Sequence, residues 1–285
     1  MSRIHHTAAE TFYVSTTGSN TLGDGTSGNP WASPVGAYKN LQRGHDLGGI
    51  VGHQIIVGPG VYTDSLQAVG ILPGQCDVLA IIGDLSNPLN CILKPAANLG
   101  YAAAAIRGAQ LYMDGFLFDE SDGHNDIIVS AGQGGSLLAI GGHCQFSNIY
   151  PEYNLATAYD TGKIEFEGGF KLYGRTSAPL LPLPQCMLFA GADGQIQFNN
   201  NAGLDFQCVL ELIDSPNFAL SVMYSFGGDI DAEGLEYIGQ FGGCPNFLAH
   251  VGGKIRYLRS DPMPGTTTYP GGPTHSGGIL YDAYP

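Results

Sequence analysis

Residues 162–167 read GKIEFE, and the reading of that phrase decides the fold. Related phrases are GSLLAI from Gly135, GQIQFN from Gly194, GDIDAE from Gly228 and GKIRYL from Gly253. The five glycines are spaced 27, 32, 34 and 25 residues apart, a period that belongs to stacked repeats. Two residues after each glycine stands Leu137, Ile164, Ile196, Ile230 or Ile255, and two further on stands Ala139, Phe166, Phe198, Ala232 or Tyr257. Side chains alternate faces along a strand, so these positions predict an inward apolar column with the residues between them turned outward. The gaps hold no amphipathic helix, which argues against a βαβ fold and for one turn of a parallel β-helix per repeat, with loops of varying length.

The first half fits the same plan less regularly. Strands are expected at Gln54–Val57, Val78–Ile82, Cys91–Leu93 and Leu111–Phe118, each bounded by Gly, Pro, Asn or Asp. A solenoid exposes the apolar end of its first coil, which must be covered. The stretch from Ser33 supplies a cover: Ser33 as N-cap, Pro34 at the first helical position and Gly44 or Gly48 as stop predict a helix of about ten residues. Ala37, Tyr38 and Leu41 would face the coil, with Trp31 beside them. The chain divides into a flexible leader or anchor (1–11), an N-terminal cap (12–50), the β-helix (51–258) and a closing segment (259–285).

Composition agrees with an all-β chain. In 285 residues there are 43 glycines and 17 prolines, with 13% charged and 44% hydrophobic residues, which favours short strands joined by tight turns. A formal net charge of −14 disfavours a nucleic-acid partner, because phosphates require a basic footprint. No run of 18 apolar residues is present, so membrane insertion is not expected, and the N-terminus lacks the apolar core of a secretory signal. Six cysteines, at 76, 91, 144, 186, 208 and 244, include no C-x-x-C pair and read as small core residues of a protein made in a reducing cytoplasm. His5 and His6 read as part of the leader.

The two ends carry a resemblance. YVSTTGSN, DGTSGNPWASP, a short helix and then IIVGPGVY, with Pro59, Gly60 and Tyr62 in a P-G-x-Y turn, resemble the opening of pectin-lyase-like β-helix proteins. The last stretch, KIRYLRSDPMPGTTTYPGGPTHSGGILYDAYP, with Pro264, Gly265, Ser276, Gly277, Gly278 and Tyr281, resembles the closing segment of bacteriophage tail-fibre, tailspike and head-fibre proteins. Gene transfer agents, which are phage-like particles, carry comparable small spikes. The resemblance implies a right-handed parallel β-helix that forms a homotrimer. It also implies a place on the surface of a virion or phage-like particle, attachment to another virion protein through residues 1–11, and contact with host cell-surface polysaccharide. It implies no cofactor.

Candidate chemistry lies on the outward positions. Lys163, Glu165, Glu167; Gln195, Gln197, Asn199; Asp229, Asp231, Glu233; and Lys254, Arg256 form a polar face. Carboxyl pairs such as Glu165 with Glu167, or Asp229 with Asp231, suit a glycoside hydrolase, whose two carboxyls stand roughly 5 to 9.5 Å apart. The same residues equally read as cross-strand charge pairs, Asp229 and Asp231 against Lys254 and Arg256. Asp119, Glu120, Asp122 and Asp126 form an acidic loop, read as solvated or as a cation site, although the EF-hand spacing is absent. Lyase chemistry would need Arg107 or Arg175 brought to such a cluster. The loop NIYPEYNLATAYD offers Tyr150, Glu152, Tyr153 and Tyr159 as carbohydrate contacts or as packing, since a pyranose face is apolar and its rim is polar. Tyr269, Tyr281 and Tyr284 read in the same two ways. The histidines, His143 beside Cys144 included, read as packing or surface residues. Three functions follow: an adhesion spike that binds polysaccharide, a polysaccharide depolymerase on the same scaffold, or a purely structural decoration or connector protein.

Overall fold

The computed structural model describes residues 3–96, 100–119, 127–147, 154–173, 186–199, 208–214, 221–232, 235–238, 247–257 and 279–282. They form a parallel β-helix-like solenoid. Three parallel sheets run its length: a long one of ten strands, from Thr11–Val14 to Ile279–Asp282, and two of seven strands each. The chain passes from the long sheet to a second, then to a third, then begins the next coil. The second sheet begins at Gly60–Tyr62 and ends at Leu235–Ile238, and the third runs from Leu66–Val69 to Phe247–His250.

The five glycine phrases are consecutive neighbours in the long sheet, at Leu137–Gly141, Lys163–Glu167, Gln195–Phe198, Asp229–Asp231 and Lys254–Tyr257. Leu138, Ile164, Ile196, Ile230 and Ile255 lie in register and are wholly or almost wholly buried. One phrase therefore sits differently from its expected alignment: Leu138 and Ile140 point inward in the first coil, where Leu137 and Ala139 were expected. The reason lies in the preceding turn. Ser136 O accepts from Lys163 N, Gly162 O from Gln195 N and Gly194 O from Asp229 N, so Ser136, not Gly135, occupies the repeat position. The turn of the first phrase is one residue longer.

The structure also explains why glycine opens the later phrases. A Cβ at Gly162 would lie 2.3 Å from Ala131 O, and one at Gly194 would lie 2.2 Å from Ala158 O. The chain turns so tightly from the third sheet into the long sheet that no side chain fits. These turns contain residues with positive φ, among them Asp160 at 48° and Thr161 at 65°, and Ala192 at 43° and Asp193 at 63°. Two consecutive left-handed residues, closed by bonds from Gly162 N to Tyr159 O and from Gly194 N to Gly191 O, are the signature of a type I′ turn.

Inside, the coils stack like on like. Phe118 lies over Phe146 with ring centroids 4.9 Å apart, and Phe166 over Phe198 at the same distance. On the third sheet Ala105, Ala131, Ala158 and Ala190 form a buried column of small residues.

The expected cap helix spans Pro34–Gly44, and Ser33 Oγ accepts from Gly36 N at its start. Ala37, Tyr38, Leu41 and Trp31 are buried, as expected of a cover. Asn20 fastens the helix start, its Oδ1 accepting from Ala32 N and Ser33 N and its Nδ2 donating to Ser33 Oγ. Trp31 Nε1 donates to Gly23 O at 3.0 Å.

Two expectations are corrected here. Leu111–Phe118 is two strands, Gln110–Asp114 and Leu117–Asp119, because Gly115 turns the corner between sheets with φ 75°. The leader is part of the cap: Ile4–His5 pairs in parallel with His45–Asp46. His6 is 8% exposed, its ring stacked 5.1 Å from that of His45 with Nε2 2.8 Å from His45 Nδ1. Gln54–Val57 and Cys91–Leu93 are strands with the expected bounds, and Val78–Ile82 begins one residue later, at Leu79. Cys91, Cys144 and Cys186 are buried free thiols and Cys76 is exposed. No helix of the described residues is long and apolar enough to cross a membrane.

Candidate functional site

The outward face of the long sheet carries its polar residues in exact ladders. Lys163, Gln195, Asp229 and Lys254 are paired strand to strand, and so are Glu165, Gln197, Asp231 and Arg256. Asp229 Oδ1 lies 3.7 Å from Lys254 Nζ, and Asp231 Oδ2 accepts from Arg256 Nη1 at 3.1 Å. Glu165 is held by Lys163 on its own strand. Charges of opposite sign in mutual reach on a solvated face stabilise little. Between the charged ends, the Gln195 and Gln197 side chains have no partner among the described residues.

Glu167 differs. The residue is exposed, yet partial desolvation of its carboxyl, with Glu165 and Asp114 adding negative charge nearby, raises its pKa. It stands at the end of its strand, opposite Gly141 on the coil before. A Cβ at Gly141 would lie 2.2 Å from Asp114 Cγ, so this glycine makes room for the carboxylate of the coil before that. Three successive coils thus bring Asp114, Gly141 and Glu167 together at the corner between the long and second sheets.

Asp114 is the centre of that corner. It is 4% exposed, yet each oxygen is fully engaged. Oδ1 accepts from Gly115 N at 2.8 Å and from His143 N at 2.9 Å; Oδ2 accepts from His143 Nδ1 at 2.9 Å and from Tyr112 Oη at 3.2 Å. A carboxylate only accepts, so Nδ1 of His143 donates to it, and in the neutral imidazole Nε2 is the atom that keeps a lone pair. The His143 side chain is 56% exposed, whereas Cys144 beside it is buried. Burial, with Asp114 close by, pushes the Cys144 thiol far up, so it stays protonated. Burial likewise raises the Tyr112 phenol, with Asp114 adding to the effect.

His143 lines an open cleft of about 380 Å³. Its walls include Ser86 and Pro88 from an earlier coil, Cys144, and Phe170, Lys171 and Glu211 from later ones. Lys171 Nζ lies 2.8 Å from Glu211 Oε2, a bond that raises the ammonium pKa. Among these, Cys144 and Phe170 are buried, whereas the His143, Lys171 and Glu211 side chains are exposed.

The other expected positions are less informative. Asp119 lies 3.6 Å from Lys94, while Glu120, Asp122 and Asp126 lie outside the described residues. Arg107 occupies a left-handed turn and its Nε donates to Gln133 Oε1 at 3.3 Å. Tyr159 ends its strand half-buried, with its ring over the Gly132 backbone, and burial raises its phenol pKa. Tyr150, Glu152, Tyr153, Glu233, Arg175, Tyr269 and Tyr284 lie outside the described residues, and of Tyr281 only the backbone is described. Among the described residues, no group of three or more His, Cys, Asp or Glu is placed to hold a metal ion.

Asp114 and His143 were missed in the sequence because they are 29 residues apart. A signal exists: M-D-G at 113–115 and G-H-C at 142–144 close the same corner on adjacent coils, which only the corrected register reveals. No protein-family model, curated protein or solved structure matches the chain.

Proposed function

We propose that the protein is a surface spike or fibre of a phage or phage-like particle, a right-handed and trimeric β-helix that binds polysaccharide of the host cell surface. One observation carries the binding half of this reading: the outward ladders of the long sheet. Successive coils of a parallel β-helix repeat about every 4.8 Å. Lys163 to Lys254 and Glu165 to Arg256 therefore present a regular row of donors and acceptors, with the two glutamine amides uncommitted at its middle. An extended chain of sugar hydroxyls is a polymer of matching character. Each contact is weak, and many copies on one particle add through avidity. The particle setting is supported by the resemblance of the two chain ends to such spikes.

The test is binding of the purified chain to capsular and lipopolysaccharide glycans on an array, with sedimentation to read the oligomeric state. Wild-type protein is expected to bind at least one glycan without shortening it, and the Gln195→Ala/Gln197→Ala double variant to bind at least tenfold more weakly while keeping its melting temperature. Absence of binding to every glycan, or unchanged binding by the double variant, overturns the assignment of this face. A monomer by sedimentation overturns the trimer.

A further inference from the structure

We propose that the Asp114–His143 pair is a general-base site that hydrolyses short acyl esters on carbohydrate hydroxyls. The carbohydrate half rests on the adhesion reading above; the chemistry of the pair does not. The geometry is that of an oriented base. A buried carboxylate holds Nδ1–H and the backbone N–H of the same histidine, which fixes both the tautomer and the ring orientation and leaves Nε2 as the basic atom. The ring lines a cleft, the carboxylate does not, and Gly141 is kept small so that this arrangement fits.

The cleft selects among reactions. Cleaving a glycosidic bond takes two carboxyls working across it; the carboxylate that lines this cleft, Glu211, is bound to Lys171. Eliminating across a uronic acid takes several cations to neutralise its carboxylate, and the described lining of this cleft has one Lys or Arg, Lys171, on a chain with a net charge of −14. Ester hydrolysis asks for less: one base, one positive group near the oxygen that becomes negative, and a small apolar seat for the acyl group. His143, Lys171 and the Pro88, Cys144 and Phe170 floor supply these three.

Nε2 of His143 takes a proton from water as the water oxygen bonds to the ester carbonyl carbon, and the carbonyl electron pair moves to its oxygen, on the side of Lys171. The tetrahedral intermediate collapses, the bond to the sugar oxygen breaks, and the imidazolium returns its proton to that oxygen. The products are a short carboxylic acid and a free sugar hydroxyl, and His143 is restored. Asp114 is a positioning residue in this scheme, since it acts through the imidazole.

The experiment measures acetate release from O-acetylated glucomannan, and nitrophenol release from 4-nitrophenyl acetate, by the full chain. His143→Ala is expected to lose about 10²- to 10⁴-fold of the rate, the usual contribution of a general base. The variant loses a hydrogen bond to the buried Asp114, so its melting temperature is measured beside its rate. Added imidazole should restore activity to His143→Ala in proportion to its concentration, which a merely structural histidine would not allow. Asp114→Asn should lower kcat with little change in KM; if it unfolds, His143→Ala and its rescue still decide. A wild-type rate no higher than that of His143→Ala on both substrates overturns the site. Release from the nitrophenyl ester with the polysaccharide untouched overturns the carbohydrate assignment. Glucomannan binding by His143→Ala, measured separately, distinguishes failure of this proposal from failure of the adhesion reading.

Discussion

The coils and the N-terminal cap bury their apolar residues by different means. In the coils each residue meets its equivalent from the next repeat: Phe118 meets Phe146, Phe166 meets Phe198, and Ile164 meets Ile196. In the cap nothing repeats. His6 meets His45, Asn20 meets Ser33, Tyr38 Oη donates to Gly70 O, and His53 takes a hydrogen bond from Glu10 N while its Nε2 donates to Leu47 O. A periodic region can be built from one rule used many times, whereas an end has to be closed by unique contacts between distant residues. The cap is thus closed by unique polar contacts, whereas the apolar interior of the coils is built by steric fit between repeats.

The contrast can be broken most strongly inside the coils. Phe166→Ala removes a ring packed at 4.9 Å against both Phe170 and Phe198 and is expected to cost about 3–5 kcal/mol in urea unfolding. Gly194→Ala should cost about 1–3 kcal/mol, because its methyl would be driven against the Ala158 carbonyl oxygen, an overpacking strain. The matching change in the cap has the opposite sign. Gly44 ends the helix with open space where a Cβ would stand, so Gly44→Ala should stabilise by roughly 0.4–1 kcal/mol through the unfolded chain. Equal effects at the two glycines would remove the distinction.

Acid should act on the cap. Burial, with His53 close by, lowers the His6 pKa, and burial, with His6 close by, lowers that of His45; Glu10 and Asp46 oppose the shift at His6. The folded state therefore binds these protons less readily than the unfolded chain, whose histidines titrate near 6.5. The stability contributed by the pair is full above that pH and declines as the pH falls through it toward the lower folded values. Thermal melts between pH 7.5 and 5 should show the decline, and His45→Gln should flatten it. A wild-type melting temperature that does not change over this range would contradict the reading. The smallest effect belongs to the outward ladder: Asp231→Asn removes an exposed pair and should cost about 0.2–1 kcal/mol, with less at high salt.

These regions also differ in how far their residues announce them. Ile164, Phe166, Ile196 and Phe198 show their burial through period-2 alternation after a glycine, because every coil imposes the same in-and-out pattern. Ser33–Pro34 shows a helix start because an N-cap and a first-position proline are local chemistry. The ladder of Asp229 and Asp231 against Lys254 and Arg256 follows once the glycine phrases are aligned. His6 was read as leader because its partner, His45, is 39 residues away and no periodicity links them. The GSLLAI phrase misled by one residue, since Gly135 resembles the repeat glycine while Ser136 takes its place in the turn. Reading Leu111–Phe118 as one strand hid the corner at Gly115 where Asp114 and His143 meet.

By itself the sequence determined a parallel solenoid with a capping helix and an outward polar face, because strand alternation, repeat glycines and helix caps are properties of short segments. Only the tertiary structure decided the register of the coils, the burial of His6 and the meeting of Asp114 with His143. The register depends on turn length, because one residue more in the turn before Leu137 exchanges the two faces of that strand, and the two meetings depend on contacts between residues 39 and 29 positions apart.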